Sequence, residues 1–258
     1  MILRPCHAAP ATGEVIPVWQ AVEAAQRAAG DTFTMVTQPE HAVLAGDLAA
    51  RFTAPPYPTS CEEVVRAIAW HDKGWAECDF RYTALNPPEK RATDRPRSFI
   101  AMKPAEFLTA WTRSIDACAG ISATGGAMVS AHFSFLARYR LANVADSGED
   151  TRTIREFLAS ESAREAALAL KSGRSPEEMR ALIELLQFCD LLSLYLCCGA
   201  CAEVEFPQKF GGRTVRLRRE GGAYVLTPSP FAGGADLGIN AWKYPADPVP
   251  QPLAFLLR

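Results

Sequence analysis

The sequence predicts a mainly α-helical protein with a small antiparallel β-sheet formed by its N- and C-terminal strands, and three observations lead to this fold class. Helix N-cap signatures recur through the middle of the chain, and the run MRALIELLQFCDLLSLYLCC has the length of a buried helix. Strand-like runs occur only near the two ends. We therefore expect a single domain over residues 1–258, with a helical body at about 37–201 and a β-rich appendage from about 1–36 and 202–258.

Capping-box sequences predict the N-termini of three helices. In each, a Ser or Thr precedes a Glu by three residues, so that hydroxyl and carboxylate satisfy backbone N–H groups of the first turn. The pairs are Thr37/Glu40, Ser60/Glu63 and Ser175/Glu178. Further helical patterns are PAEFLTAWTRSIDACA, GAMVSAHFSFLARYRLA and TIREFLASESAREAALAL, and a helix in PVWQAVEAAQRAAG separates the first two strands. Residues 77–97 are polar and contain prolines, which predicts a long loop.

The strands are short and lie in two groups. MILRP and TFTMV belong to the first group, and TVRLRREGGAYVLTP reads as two strands joined at Gly221–Gly222, a hairpin signal. An isolated hairpin is marginally stable, so we expect the two groups to pair into one sheet beside the helices.

Composition narrows the classes of partner and compartment. The formal net charge is −2 over 258 residues, which provides no basic field for a nucleic acid. The N-terminus lacks the apolar region of a signal peptide, and the run LLSLYLCCGACA is too short to span a bilayer. The eight cysteines, including the C-x-x-C of CCGAC, are expected to be reduced thiols. We expect a cytoplasmic protein with a small-molecule substrate and no membrane; the sequence leaves its oligomeric state open and allows a homodimer.

Histidine and buried acid point to a metal site. The four histidines are His7, His41, His71 and His132, and all but the first fall in predicted helices. Asp190 stands in LLQFCDLLSLYL, where an ionised carboxylate without a partner costs several kcal/mol, so it needs a counter-charge. Imidazoles and carboxylates from separate helices bind zinc, manganese or iron in helical bundles. An arginine partner for Asp190 is the structural alternative.

The order of these residues resembles the H…HD…D signature of the HD-domain superfamily. His41 is followed by His71–Asp72 and then by the distant Asp190, and Gly74 matches the frequent HD-x-G form. Members are all-α metalloproteins, mostly phosphohydrolases of nucleotides and other phosphate esters, with a smaller branch of di-iron oxygenases. The resemblance implies an HD-domain-like helical bundle.

The same resemblance implies a ligand set and a cofactor. By position, His41, His71, Asp72 and Asp190 correspond to the four metal ligands, and His132 resembles the extra histidine of two-metal members. The implied cofactor is one or two divalent ions of Mn, Ni, Zn, Mg or Fe.

A second resemblance covers most of the chain. TQPEHAVLAGDLA, AIAWHDKGWAE, AMVSAHFSFL and FCDLLSLYLC resemble the blocks of an uncharacterised bacterial family, domain of unknown function 3891. That family implies a helical body with a small β portion and carries no established activity. Residues 7–30 look like an insertion relative to its usual start.

These observations predict metal-dependent hydrolysis of a small phosphate ester or nucleotide. Predicted catalytic residues are Asp72, Glu77 as general base and Lys73 as a partner for phosphate charge. Other candidate cations are Arg81, Lys103 and Arg113, and Trp75, Tyr82 and Arg113 are the candidate substrate contacts. Two alternatives remain open: a di-iron oxygenase of a small polar substrate, and a non-catalytic metabolite-binding module on a degenerate HD scaffold.

Overall fold

A computed structural model describes residues 1–6, 13–54, 61–245 and 247–258. Two positions singled out in the sequence, His7 and Ser60, lie outside these described residues, and the capping box predicted at Ser60 lies there with them. The remaining predictions about helices, strands and candidate site residues fall on described parts of the chain.

The described residues form eight α-helices, and the candidate site draws on α2, α3, α6 and α8. They are α1 (Val18–Arg27), α2 (Gln38–Ala49), α3 (Glu62–Trp70), α4 (Ala76–Phe80), α5 (Pro104–Ala119), α6 (Ala123–Asn143), α7 (Gly148–Ser172) and α8 (Pro176–Cys198). The segment predicted as a long loop is partly helical, because α4 and the 3-10 turn Pro88–Lys90 lie in it.

Helix starts follow their capping residues. The Ser175 hydroxyl accepts a hydrogen bond from the Glu178 N–H, and the Glu178 carboxylate accepts one from the Ser175 N–H, as the sequence predicts for α8. At α2 only half of the box forms: Thr37 Oγ1 accepts from the Glu40 N–H at 3.2 Å. The Glu40 carboxylate instead accepts from the N–H of Asn240 at 3.2 Å and so ties this helix to the sheet.

The sheet has eight strands among the described residues. They are β1 (Ile2–Pro5), β2 (Ile16–Pro17), β3 (Phe33–Val36), β4 (Val204–Phe210), β5 (Arg213–Glu220), β6 (Ala223–Thr227), β7 (Ala235–Tyr244) and β8 (Asp247–Leu257), in the spatial order β1-β3-β7-β8-β6-β5-β4-β2. Neighbours are antiparallel except β2–β4 and β6–β8, which are parallel.

The predicted fold class is therefore wrong. The described residues are 53% helical and 21% strand, with a curled, half-barrel sheet of eight strands instead of a mainly α-helical bundle with a small antiparallel sheet. The two terminal groups do share one sheet, since β3 pairs with β7. Sequence analysis missed β8, the longest strand, because Pro250 and Pro252 interrupt its pattern. Prolines at alternate positions leave their missing N–H groups on one edge, and β6 pairs with β8 only at Leu257.

The helices and the sheet share one hydrophobic core. Phe188 of α8 packs on Phe206 and Phe210 of β4, with ring centroids 4.8 and 4.9 Å apart. Buried residues of both regions belong to one hydrophobic cluster. The sheet is thus packed against the helical body.

The helix α8 runs through this core. It is long and apolar enough to cross a membrane by length and composition, yet 72% of its most apolar window is buried inside the protein. That burial is what a central core helix requires. The first eight residues of the run LLSLYLCCGACA, Leu191–Cys198, form the C-terminal part of this longer helix.

Two glycines allow neighbouring helices to pack closely beside His41 and His71–Asp72. A Cβ on Gly46 of α2 would lie 2.6 Å from Cβ of Ala69, so only glycine lets α2 and α3 approach this closely. A Cβ on Gly74 would lie 2.0 Å from the carbonyl oxygen of Ala110 on α5, and the Gly74 N–H donates to Ser114 Oγ. The turn after His71–Asp72 is therefore fixed against α5.

Candidate metal centre

Helices α2, α3 and α8 bring three donor side chains to one point. His41 Nε2 lies 3.1 Å from Asp190 Oδ1, and His71 Nε2 lies 3.3 Å from the same oxygen. Both imidazoles are fully buried and Asp190 is 6% exposed. One atom from each of the three residues falls within 4.8 Å of the other two, a spacing that can hold a metal ion.

The other ring nitrogens fix how the imidazoles are oriented. His41 Nδ1 donates to the carbonyl oxygen of Gln38 at 2.6 Å, and His71 Nδ1 donates to that of Ile68 at 2.7 Å. A backbone carbonyl can only accept, so each Nδ1 carries the proton and each Nε2 presents its lone pair to the cluster. Metal-binding histidines are held in this way by their second nitrogen.

The arrangement requires a cation between the side chains. Two lone pairs that face one carboxylate repel it unless a proton or a metal ion lies among them. Burial lowers the pKa of His71, but Asp72 and Asp190 outweigh it and raise that pKa to about 9. Burial would raise the pKa of Asp190, but His41 and His71 hold it well below its usual range. In the absence of metal, protons take the place of the cation.

Asp72 and His132 extend the cluster. Asp72 Oδ2 lies 3.7 Å from His41 Nε2 and 3.9 Å from His71 Nε2, and His132 Nε2 lies 3.7 Å from Asp190 Oδ2. Burial raises the pKa of Asp72 and lowers the pKa of His132 to about 4. Asp72 Oδ1 and His132 Nδ1 are buried without hydrogen-bond partners.

These residues fit a divalent ion. The donor atoms are imidazole nitrogens and carboxylate oxygens, the set that suits zinc, manganese, iron and nickel. Buried Asp72 Oδ1 lacks the partner that a nearby cation would supply. His41, His71 and Asp190 would hold one ion, with Asp72 beside them, and His132 Nε2 faces the other carboxylate oxygen of Asp190.

The cluster lies at a large cavity of about 1110 Å³. Asp72, His132 and Asp190 contribute to its wall, together with Trp75. Most of the remaining wall is apolar and comes from α5, α6, α8 and β4. It includes Phe107, Trp111, Phe133, Leu136, Leu191, Leu194 and Phe206.

The other predicted site residues lie elsewhere. Glu77 forms an ion pair with Arg113, and both side chains are exposed. The ammonium of Lys73 lies over the ring of Trp70, 3.2 Å from its centroid. None of the three contributes to the wall of the large cavity. Of the predicted substrate contacts, Trp75 alone does so.

Tyr82 and Arg81 form part of a separate surface feature. The Tyr82 hydroxyl donates to Asp94 at 3.1 Å, and Arg81 pairs with the same carboxylate at 3.3 Å. These residues belong to a loop network beside a small cavity of about 70 Å³. Lys103 is the N-cap of α5. The predicted cations are thus not gathered at the His–Asp cluster.

Sequence reasoning missed most of the cavity wall. Gln38 and Gln208 line it with buried Oε1 atoms that lack a partner, and Phe135 and Tyr139 line it on α6. The available signal was the excess of apolar residues on α6 after His132, which the sequence alone cannot separate from ordinary core packing.

Comparisons with known proteins identify one family. A family model described as a protein of unknown function, DUF3891, matches residues 26–241. In the comparisons with curated proteins and with solved structures, nothing matches the chain. The match spans α2 to most of β7 and includes every residue of the His–Asp cluster. It begins near the end of α1, after most of the segment that looks like an insertion. The chain belongs to the DUF3891 family.

Proposed function

We propose that the protein is a metal-dependent hydrolase of a phosphate ester, with one or two divalent ions held by the His–Asp cluster. The observation that carries the proposal is the geometry of His41, His71 and Asp190. Their donor atoms converge on one point beside a cavity large enough for a small-molecule substrate. The H…HD…D order of these residues, which resembles the HD-domain superfamily, supports the same reaction.

A bound divalent ion supplies two effects, a lower pKa for a bound water and polarisation of the phosphoryl oxygens. In the net reaction the water oxygen bonds to phosphorus, the bond from phosphorus to the alcohol oxygen breaks, and a proton from water ends on the alcohol. The protein's task is to hold the reactants and protons in place.

The residues around the cluster are suited to that task. Backbone acceptors hold the imidazoles of His41 and His71 in one orientation. The unpartnered Oδ1 of Asp72 can accept a hydrogen bond from the attacking water, and the unpartnered Nε1–H of Trp75 can donate one to a phosphoryl oxygen. These two residues stand at the same cavity wall. We assign no step to Glu77 or Lys73, which lie outside it.

The test is metal content followed by turnover. Protein stripped with EDTA would be reloaded separately with Mn, Ni, Zn, Mg and Fe, and phosphate release from p-nitrophenyl phosphate would be measured. We expect at least one metal to bind and to support turnover, and Asp190→Asn to lose both. Glu161→Gln is the matched control, because Glu161 is a buried carboxylate outside the cluster. No turnover with any metal would overturn the hydrolase proposal.

The apolar cavity favours a second candidate, a di-iron oxygenase. Five potential donor residues lie together, and an oxidised substrate needs no cations in its pocket. Two iron equivalents per chain and oxygen consumption without phosphate release would favour this reaction. Tight ligand binding without metal would favour the non-catalytic binding module.

A further inference from the structure

We infer that the substrate of this site is an amphiphile, with one small anionic head at the His–Asp cluster and a bulky apolar body along the cavity. The inference rests on the proposed function for the chemistry of the head. It adds that the leaving alcohol carries an aliphatic or aromatic hydrocarbon group and is not a nucleoside.

Unpartnered polar atoms mark one part of the cavity as the place for the head. Five residues of its wall carry a buried side-chain nitrogen or oxygen without a hydrogen-bond partner, and such atoms are costly when nothing binds them. They are Gln38 Oε1, Asp72 Oδ1, Trp75 Nε1, His132 Nδ1 and Gln208 Oε1. Three of these five residues immediately adjoin or belong to the His–Asp cluster: Gln38 accepts from His41, and Asp72 and His132 contact its members.

The body of the substrate would lie along α6. From His132 this helix turns Leu136 and Tyr139 to the cavity, spaced to keep one face, and Val144, just after the end of the helix, lines the cavity as well. At 1.5 Å per residue, the stripe from His132 to Tyr139 extends for about 10 Å. Tyr139 is 44% exposed and Val144 is 45% exposed, so hydrocarbon surface remains open to a ligand at its outer end.

The facing wall is apolar as well. On α8, Leu191 and Leu194 follow Asp190 directly and line the cavity, and β4 adds Phe206. Helix α8 thus carries Asp190 of the cluster and, within one turn of it, the apolar side chains of Leu191 and Leu194. A ligand bound between α6 and α8 would meet the polar atoms of the cluster at one end and these hydrocarbon side chains beside it, while Arg140, Glu184 and Gln187 also line the cavity.

The charges of the wall argue against a polyphosphate. The wall has three cations, Arg27, Arg140 and Lys209, against five carboxylates, those of Glu23, Asp72, Glu184, Asp190 and Glu205. Arg27 pairs with Glu23 at 3.2 Å and Arg140 pairs with Asp146 at 2.7 Å, so both guanidinium groups already have carboxylate partners. A nucleoside di- or triphosphate carries several negative charges and needs several cations or a phosphate-binding loop. One ionic head at the cluster needs neither.

The buried aromatic rings of the wall are poorly placed to stack a base. Trp111 is stacked on Phe133, with centroids 4.8 Å apart and an angle of 10° between the planes, and Phe107 lies against it at 4.5 Å. Trp75 is 2% exposed. These rings are packed into the wall, where they contribute hydrocarbon surface.

The test is binding of alkyl phosphates by isothermal titration calorimetry, with Mn²⁺-loaded and EDTA-treated protein. Each buried CH₂ group strengthens binding several-fold. We therefore expect octyl phosphate to bind the loaded protein at least 30-fold more tightly than butyl phosphate, and more tightly than adenosine 5′-monophosphate. Equal affinities for butyl and octyl phosphate, or tighter binding of the nucleotide, would overturn the inference.

Two variants on one helix locate the alkyl chain. Leu191→Trp fills the cavity, whereas Ile183→Trp adds the same ring to α8 at a partly buried position that does not line it. We expect Leu191→Trp to weaken octyl phosphate binding at least tenfold and butyl phosphate binding by less, with no effect of Ile183→Trp. Circular dichroism melts would verify that both variants are folded. Equal effects of the two variants would place the chain elsewhere and overturn the inference.

Hydrolysis separates this inference from the proposed function. If octyl phosphate binds more tightly than butyl phosphate but releases no phosphate with any metal, the hydrolase proposal is overturned and the amphiphile inference is supported. Turnover of p-nitrophenyl phosphate without chain-length dependence of binding would support the hydrolase and overturn the amphiphile.

Discussion

The helical body buries two carboxylates in two different ways. Glu161 of α7 is 3% exposed, accepts a hydrogen bond from the Ser130 hydroxyl at 2.8 Å and pairs with Arg164 at 3.5 Å. Arg164 is shared with Asp116 at 2.6 Å. Asp190, 6% exposed, has no arginine among its described contacts and faces histidines instead.

The difference separates a structural ion pair from a candidate metal centre. The charge of Glu161 is balanced by a guanidinium that is always protonated. The charge of Asp190 is balanced by imidazoles whose Nδ1 protons are already donated to backbone carbonyls, so an added proton or metal ion must complete the site. A buried acid paired only with imidazoles is therefore a better guide to a metal site than burial by itself. Four experiments test whether the two carboxylates differ in this way.

The largest expected effect is on metal affinity. Asp190→Asn keeps the shape of the side chain but removes its charge, and we expect metal affinity to fall roughly 100-fold or more, since loss of even an outer-shell partner often costs 10–100-fold. Glu161→Gln should bind metal like the wild type. Affinity would be measured by titration calorimetry and stoichiometry by elemental analysis. Equal metal content in wild type and Asp190→Asn would remove Asp190 from the ligand set.

The second effect is a pH dependence of the metal-free protein. The folded-state pKa of His71 is raised from 6.5 to about 9, so its protonation stabilises the fold fully below about pH 6.5. That stability is lost as the pH rises towards 9, by roughly 3 kcal/mol for a shift of this size.

Urea unfolding of EDTA-treated protein between pH 6 and pH 10 would measure this loss. His71→Gln is the comparison variant, because other groups that titrate at high pH remain in it. We expect the wild type to lose more stability than this variant across the range, and saturating metal to reduce the difference. Parallel curves for the two proteins would show that His71 does not carry the proton.

A third effect concerns the structural pair. Glu161→Gln removes the partner charge of Arg164 and weakens the bond from Ser130, and we expect a loss of about 2 kcal/mol in the free energy of unfolding. Metal affinity should not change. Chemical denaturation in the presence of EDTA measures the first quantity. A change in metal affinity would mean that the two carboxylates are coupled and would break the contrast.

The smallest effect has the opposite sign. Replacing a buried charge by a hydrocarbon of similar size often stabilises a protein by about 1–4 kcal/mol. We expect Asp190→Leu to abolish metal binding and to stabilise the metal-free protein by about 1 kcal/mol at pH 9, where His71 protonation is being lost. The same denaturation experiment measures it. Strong destabilisation by Asp190→Leu would indicate that Asp190 holds the helices together without metal.

The sequence determined the local part of this structure. Capping at Thr37 and Ser175 sets where α2 and α8 begin, because the bonds involved lie within four residues. The apolar surroundings of Asp190 predicted a counter-charge from another helix, and His41 and His71 supply the contacts. The DUF3891 resemblance, drawn from short sequence blocks, is confirmed by the family match.

Only the tertiary structure decided the sheet and the cavity. The extent of an eight-stranded sheet depends on pairings between residues 200 positions apart, and prolines concealed its longest strand. Glu77 and Arg113 were predicted near the site from their charge, yet these exposed side chains of α4 and α5 pair with each other at the surface, where solvent also stabilises both charges. In the sequence, each apolar side chain of α6, α8 and β4 has the pattern of a core residue. These side chains line an open cavity because of the spacing between the three elements, and no local sequence pattern encodes that spacing.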